Sequence, residues 1–311
     1  MNLDDLWNQI FGFQNYGELL LLVRNSIIAG AILGVVGGLI GPFVMTRDLA
    51  FAVHGISELS FAGASAALLF GVNVVTGSIA GSLLAALIIG VLGARARERN
   101  SIIAVLMPFG LGLGILFLAL YKGRSANKFG LLTGQIISVD NPQLMQLLVI
   151  SIVVIVGLVL IWRPLSFSSV DPDVARAKGL PVTAISVAFM ILLGLATAVS
   201  IQVVGALLVL SLLVTPAAAA MRVTSSPFLT PLLSVAFAVT SVVGGILLAL
   251  GGGLPISPYV TTISFLIYLV CRVIGHRQKT RGNGGRRLRQ SQPVSAACST
   301  TVAAAPTEVR A

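Results

Sequence analysis

The sequence predicts an all-α polytopic membrane protein with eight or nine transmembrane helices. Hydrophobic residues make up 56% of the 311 residues and charged residues only 10%, whereas a soluble domain carries about 25% charged residues. Apolar runs of 18 or more residues recur along the chain, and a helix of that length crosses about 30 Å of hydrocarbon. The runs are continuous and do not alternate in polarity, which excludes a transmembrane barrel.

Charged or Gly/Pro-rich breaks divide the apolar runs into nine predicted spans. They are 19–45, 50–70, 77–94, 101–121, 143–161, 182–200, 205–221, 229–250 and 259–274. The stretch VSIQVVG around residues 200–205 is the weakest point of this division. A break there inside one re-entrant hairpin would reduce the count to eight.

The basic residues predict the orientation. Lys and Arg concentrate in alternate loops and in the tail, so the positive-inside rule places the N-terminus outside and the C-terminus in the cytoplasm of a bacterial inner membrane. Residues 1–18 then form an extracytoplasmic segment, 19–275 a transmembrane domain and 276–311 a basic, disordered tail. The net charge of +10 indicates contact with anionic lipid rather than nucleic acid, because eight of the 20 Lys and Arg residues lie from Arg272 onward, at the end of the last span and in the tail.

The sequence lacks the phosphate-binding, serine-hydrolase and zinc-protease motifs. None of its four lysines follows a glycine, so the phosphate-binding pattern G-x-x-x-x-G-K-[ST] cannot be matched. GxSxG and HExxH do not occur, and Cys271 and Cys298 form neither a metal cluster nor a disulfide framework. The chain is therefore not predicted to be an enzyme, and any ATP hydrolysis would require a separate subunit.

A histidine and a glutamate stand out in the second predicted span, in FAVHGISELSFAG. His54 and Glu58 are four positions apart and share one helix face, close to Ser57. A carboxylate at mid-membrane depth costs about 2.5–3.5 kcal/mol on insertion scales, so it usually has a function or a partner. An imidazole with a carboxylate suits a divalent metal such as zinc, and two protein ligands would allow release. A structural His–Glu hydrogen bond or a hydrated pair near the interface explains the same residues equally well.

Two further stretches bear on function. SVDPDVARAKGLP at 169–181 predicts a short helix in a cytoplasmic loop, with Asp171 as its cap, Pro172 and Asp173 in its first turn, and Gly179 as its stop. Such a helix is either a connector or a docking element. QVVGALLVLSLLVTPAAAAMR at 202–222 contains Ser211, Thr215 and Pro216, and the proline predicts a helix break. Broken helices often line transport paths, although proline kinks also occur in plain bundles.

These three stretches, in this order, resemble the membrane permeases of ABC-type zinc/manganese importers, the ABC-3 family, over roughly residues 20–275. The family pattern G-D-x-x-S/A-H-x-x-L-x-G corresponds to FAVHGISELSFAG, with His54 at the family's Asp, Glu58 at its His, and Ser57 and Gly63 in place. The loop resembles D-P-E-x-A-x-x-x-G through the residues Asp171, Pro172, Asp173, Ala175 and Gly179. VGALLVLSLLVTPAAAAMR is similar to V-G-A-L-L-v-x-x-L-L-v-x-P-A-A-x-A.

The resemblance implies a type II ABC importer-like permease that forms a homodimer. Two copies of a cytoplasmic ATP-binding subunit would dock on the loop helix, and an extracytoplasmic metal-binding protein would deliver the ion. It also implies that a divalent metal, zinc before manganese or iron, is transported past the pair, with no permanently bound cofactor. The residue types at the pair are exchanged relative to the family pattern.

Two other functions compete with this one. A secondary transporter or metabolite exporter of similar size would show two halves of matching hydropathy, and no convincing repeat is present. A membrane scaffold would use His54 and Glu58 as a structural pair only.

Overall fold

The structure is a computed structural model that describes residues 23–93, 96–123, 139–250 and 256–290. Eight of its helices are long and apolar enough to cross a membrane. The helices in chain order are α1 (Arg24–Thr46), α2 (Ala50–Phe70), α3 (Val74–Leu92), α4 (Ala96–Leu120), α5 (Asn141–Val170), α6 (Pro172–Ala177), α7 (Val182–Val204), α8 (Val209–Leu213), α9 (Thr215–Val223), α10 (Leu229–Leu250) and α11 (Ile256–Gln290). The predicted all-α membrane fold is confirmed.

The seventh predicted span, 205–221, is not a continuous helix, and its assignment as one was wrong. Gly205 has φ +89°, so α7 ends there, and a short 3-10 turn, α8 and α9 follow it. Pro216 lies in the first turn of α9, where its missing N–H costs nothing. The proline therefore begins a new helix and does not kink an existing one, and the number of long spans is eight.

The α2 helix packs against α3 and α4 at backbone distance. A Cβ atom on Gly63 of α2 would overlap the carbonyl oxygen of Gly77 in α3, and one on Gly81 would overlap the carbonyl oxygen of Leu59. On the other side, a Cβ atom on Gly110 of α4 would lie 2.9 Å from the backbone at Glu58. Small residues allow helices to approach this closely in lipid.

A second glycine contact joins α1 and α10. The sequence places Gly30, Gly34 and Gly38 on one face, and the structure packs all three against α10. A Cβ atom on Gly34 would lie 2.9 Å from the Cα of Val239. The spacing of four residues between these glycines is typical of a helix-packing face in a membrane, and the structure shows them in that role.

Three arginines mark one end of the bundle, which we call the basic end: Arg47 follows α1, Arg99 lies near the start of α4, and Arg222 lies near the end of α9. Arg99 donates a hydrogen bond to the carbonyl oxygen of Arg47 at 3.2 Å. At the opposite end, Asn25 donates to the side-chain oxygen of Asn141 at 2.8 Å. These contacts place the end of α1 beside the start of α4, and the start of α1 beside the start of α5.

The predicted N-terminal segment and the last part of the predicted tail lie outside the described residues. The apolar span of α11 runs from Ile256 to Arg277, and the helix continues to Gln290. The tail predicted from residue 276 therefore begins as a continuation of the last helix.

We expect Gly63→Ala to destabilise the bundle, because the added methyl group has no space at the α2–α3 crossing. Overpacking of this kind costs about 1–3 kcal/mol. Gly112→Ala in α4 is the matched control, since nothing lies within 4 Å of its Cβ position. Thermal unfolding in detergent measures both variants, and equal stability of the two would contradict the crossing described above.

Candidate functional site

His54 and Glu58 lie in the first half of α2, on the side of the basic end. The distance from His54 Nε2 to Glu58 Oε1 is 3.6 Å, with 30% of the histidine side chain exposed and 6% of the glutamate. A separation of 3.6 Å is too long for a hydrogen bond. The geometry therefore does not support the structural hydrogen bond that the sequence left open.

Glu58 is buried inside the bundle. Gly110 of α4 packs against its backbone. Ile56 and Ser60, two residues before and two residues after it, are fully buried. Within the described part of the chain, Glu58 Oε2 and His54 Nδ1 have no hydrogen-bond partner although both atoms are buried. Leaving a buried polar group unpaired costs about 1–3 kcal/mol, and more for a charged group. The pair is thus short of partners among the described residues.

Ser57 is also buried, with 1% of its surface exposed. Its hydroxyl donates to the carbonyl oxygen of His54 at 2.8 Å. The structure therefore places Ser57 next to the pair, but directs its proton to the backbone of the same helix.

Two ligand atoms at 3.6 Å can share one cation. Metal–nitrogen and metal–oxygen bonds of about 2.1 Å place two tetrahedral ligands about 3.4 Å apart, close to the observed separation. No group of three or more His, Cys, Asp or Glu side chains that could hold a metal occurs among the described residues. The pair could contact a passing cation through two protein ligands, with the remaining ligands supplied by hydroxyl or carbonyl oxygens or by water.

The short loop helix α6 is confirmed as the sequence predicted it. Asp171 Oδ1 accepts hydrogen bonds from the backbone N–H groups of Asp173 at 3.1 Å and Val174 at 3.0 Å. Gly179 has φ +81°, which ends the helix. Ala175 is fully buried, while Pro172, Asp173 and Val174 are exposed. A single small residue therefore seats the helix on the bundle and leaves its other faces open.

Sequence reasoning missed a polar brace between the end of α5 and the turn that precedes α2. Arg47 donates to Ser169 Oγ at 2.8 Å and to Ser168 Oγ at 2.6 Å. Both serine hydroxyls donate in turn to the carbonyl oxygen of Leu165, so each one accepts from Arg47 and donates to the backbone. Burial lowers the pKa of Arg47, and the nearby positive charge of Arg99 lowers it further.

This brace joins the site to the loop helix. Ser169 is two residues before Asp171, the cap of α6, and Arg47 is three residues before α2 begins. Only the basic character of Arg47 was visible in the sequence, because its serine partners lie about 120 positions away.

The broken segment lies beside the helices that form the site. α8 packs against both α1 and α2, and a Cβ atom on Gly41 of α1 would lie 2.5 Å from the carbonyl oxygen of Leu213. Ser211 donates to the carbonyl oxygen of Leu208 at 2.8 Å, and Thr215 begins α9. The break is therefore adjacent to α2, with the hydroxyl of Ser211 directed to its own backbone.

Eight long apolar helices, the second of which carries an imidazole–carboxylate pair, define a multi-pass α-helical membrane protein. The family model described as the ABC 3 transport family matches residues 20–275. The chain belongs to that family, and the resemblance proposed from its motifs is confirmed.

Two relatives that are named as manganese permeases agree with this membership. The manganese transport system membrane protein MntC of Halalkalibacterium halodurans is 30% identical over 225 residues, which is 72% of this chain and 77% of the relative. The manganese import system permease protein ScaB of Streptococcus gordonii is 28% identical over 258 residues, covering 83% of this chain and 92% of that protein.

Solved structures share the fold. PsaBC from Streptococcus pneumoniae in complex with Fab superposes with a TM-score of 0.74 at 25% identity, covering 82% of this chain and 94% of that one. An inward-facing conformation of a putative metal-chelate type ABC transporter gives a TM-score of 0.65 at 17% identity, covering 85% and 92%.

We expect Arg47→Met to lower the stability of the protein, because it removes two charge-assisted hydrogen bonds in a half-buried position. Hydrogen bonds to charged groups contribute about 1.5–3 kcal/mol. Arg176→Met is the control, since its partner Asp173 and Arg176 itself are largely exposed and such pairs contribute about 0–1 kcal/mol. Thermal unfolding separates the two, and an equal loss in both variants would show that the brace adds nothing.

Proposed function

We propose that this chain is the permease subunit of an ATP-driven importer that moves a divalent metal ion into the cytoplasm. The observation that carries the proposal is the burial of Glu58 beside His54. The Oε1 atom of Glu58 lies 3.6 Å from His54 Nε2, and its Oε2 atom has no hydrogen-bond partner among the described residues. A cation that passes the pair would supply the partner that the described residues do not. Family membership supports the coupling to ATP.

We put manganese first as the transported ion and zinc second. The sequence alone favours zinc, because His54 supplies an imidazole and manganese prefers oxygen ligands. The names of MntC and ScaB, however, refer to manganese. Glu58 with water and backbone oxygens would suit manganese, and one imidazole does not exclude it.

The partners proposed are two ATP-binding subunits, an extracytoplasmic metal-binding protein and a second copy of this chain. The exposed helix α6, seated through Ala175 and capped by Asp171, supports a docking role. Its place at the basic end puts it in the cytoplasm if the positive-inside rule holds. The N-terminus would then be extracytoplasmic and the C-terminus cytoplasmic.

We expect Glu58→Gln and His54→Gln each to reduce metal uptake at least tenfold, because each removes one of two ligands while keeping side-chain volume. Ser65→Ala is the matched control: Ser65 is buried in the same helix, and its hydroxyl is already bonded to the Phe61 carbonyl oxygen. The measurement is uptake of radioactive manganese and zinc into vesicles that hold the complex with its ATPase and binding protein.

Two outcomes of that measurement would contradict the proposal. Uptake that survives both substitutions would remove the pair from the ion path. Uptake that is independent of ATP would favour a secondary transporter instead.

We expect the double variant His54→Asp/Glu58→His to keep uptake within about threefold of wild type, because one carboxylate and one imidazole remain four residues apart on one helix face. His54→Asp alone and Glu58→His alone provide the comparison, and both should lose uptake. Loss of uptake in a double variant that still unfolds at the wild-type temperature would show that the order of the two residues is essential to the path.

A further inference from the structure

A cavity lined by basic side chains lies at the basic end, between α9 and α11, away from the His54–Glu58 pair. Its volume is about 600 Å³. Four basic side chains line it: Arg222 from α9 and Arg272, His276 and Arg277 from α11. None of its described lining residues is acidic. The cavity therefore concentrates positive charge.

The two helices that form the cavity are held in direct contact. Gly275 is buried, and a Cβ atom at this position would overlap the carbonyl oxygen of Arg222. This backbone contact fixes Arg222 beside the arginines of α11. The basic side chains thus come from two helices whose relative position is set by packing.

The depth of the cavity matches the headgroup region of a bilayer. A helix rises 1.5 Å per residue, so Arg272 and Arg277 lie about 24 Å and about 32 Å along α11 from Ile256. The hydrocarbon layer is about 30 Å thick, so a helix that enters it at Ile256 leaves it near residue 276. Arg277 therefore reaches the level at which lipid phosphates lie, and Arg272 lies about one turn below it, within reach of its long side chain.

Apolar side chains also line the cavity. They are Leu269 and Val273 of α11 and Met221 of α9, and they are 39%, 54% and 40% exposed. Leu269, Arg272, Val273 and His276 follow one helix face at spacings of three and four residues. One wall thus carries apolar and basic side chains side by side, with Leu269 one turn nearer the bilayer centre than Arg272.

We propose that this cavity binds the phosphate headgroup of an anionic phospholipid. Arg222, Arg272 and Arg277 would donate to the phosphate oxygens, a geometry that guanidinium groups satisfy with two parallel hydrogen bonds. An acyl chain would lie along Leu269 and Val273. Basic pockets between helices on the cytoplasmic side of a membrane bind such headgroups. The proposal needs only that the chain spans the membrane and is independent of the transported ion.

The test uses the full chain, purified and stripped of lipid in detergent. Phosphatidylglycerol, phosphatidylcholine and inorganic phosphate are added separately, thermal unfolding is followed, and bound lipid is counted by native mass spectrometry. For wild type we expect phosphatidylglycerol to raise the unfolding temperature by several degrees, and the other two probes to leave it unchanged. The same shift with inorganic phosphate alone would overturn the assignment to a lipid.

The variant Arg222→Gln/Arg272→Gln/Arg277→Gln should need at least fivefold more phosphatidylglycerol for the same shift. Arg163→Gln/Arg176→Gln/Lys178→Gln is the control, because it removes the same charge at the same end of the bundle without touching the cavity. Equal responses of the two variants would overturn the proposal. Unchanged lipid binding with lost co-purification of the ATPase would also overturn it, and would assign the arginines to that partner.

A measurement on the wild-type protein keeps the test independent of variant folding. A photoreactive analogue of phosphatidylglycerol is crosslinked in vesicles, and the labelled peptides are mapped. We expect labelling within 269–277, reduced by unlabelled phosphatidylglycerol and unaffected by phosphatidylcholine. Labelling confined to other helices would contradict the site.

Discussion

The constraint on which the site depends is the close packing of α2 within the bundle. Glycines let α3 and α4 touch its backbone from two sides, at Gly63 and at Glu58. This packing leaves Glu58 4% exposed, with His54 Nε2 3.6 Å from its Oε1 atom. A buried carboxylate is costly without a partner, so the packing that holds the fold together also leaves Glu58 in need of one.

The loop helix and the pair are connected by a short series of contacts. α6 begins at a cap two residues after Ser169, Ser169 accepts a hydrogen bond from Arg47, and Arg47 lies just before α2. The hydrogen bonds of Arg47 to Ser168 and Ser169 are half-buried. They therefore hold their partners more firmly than an exposed ion pair such as Arg176–Asp173 does. If an ATPase docks on α6, a displacement of that helix therefore acts first on the turn that leads into α2.

The sequence predicted those features that depend on neighbouring residues. The cap at Asp171 and the stop at Gly179 fixed α6 correctly because both act within one or two turns. The spacing of Gly30, Gly34 and Gly38 gave the face that packs on α10. The pairing of Arg47 with Ser168 and Ser169 could not be predicted, because it joins residues about 120 positions apart. The sequence left a break near residues 200–205 open as an alternative to a ninth span, since an apolar run shows no sign of a positive φ such as that of Gly205.

We propose that a transported metal ion passes between His54 and Glu58. Anomalous X-ray diffraction at the manganese and zinc absorption edges, from crystals of the complex trapped with metal, tests it most directly. We expect an anomalous peak about 2.0–2.2 Å from Glu58 Oε2 or His54 nitrogen, and its loss in Glu58→Gln. A metal-loaded complex with its only membrane peak elsewhere, and a water molecule bonded to Glu58, would contradict the account.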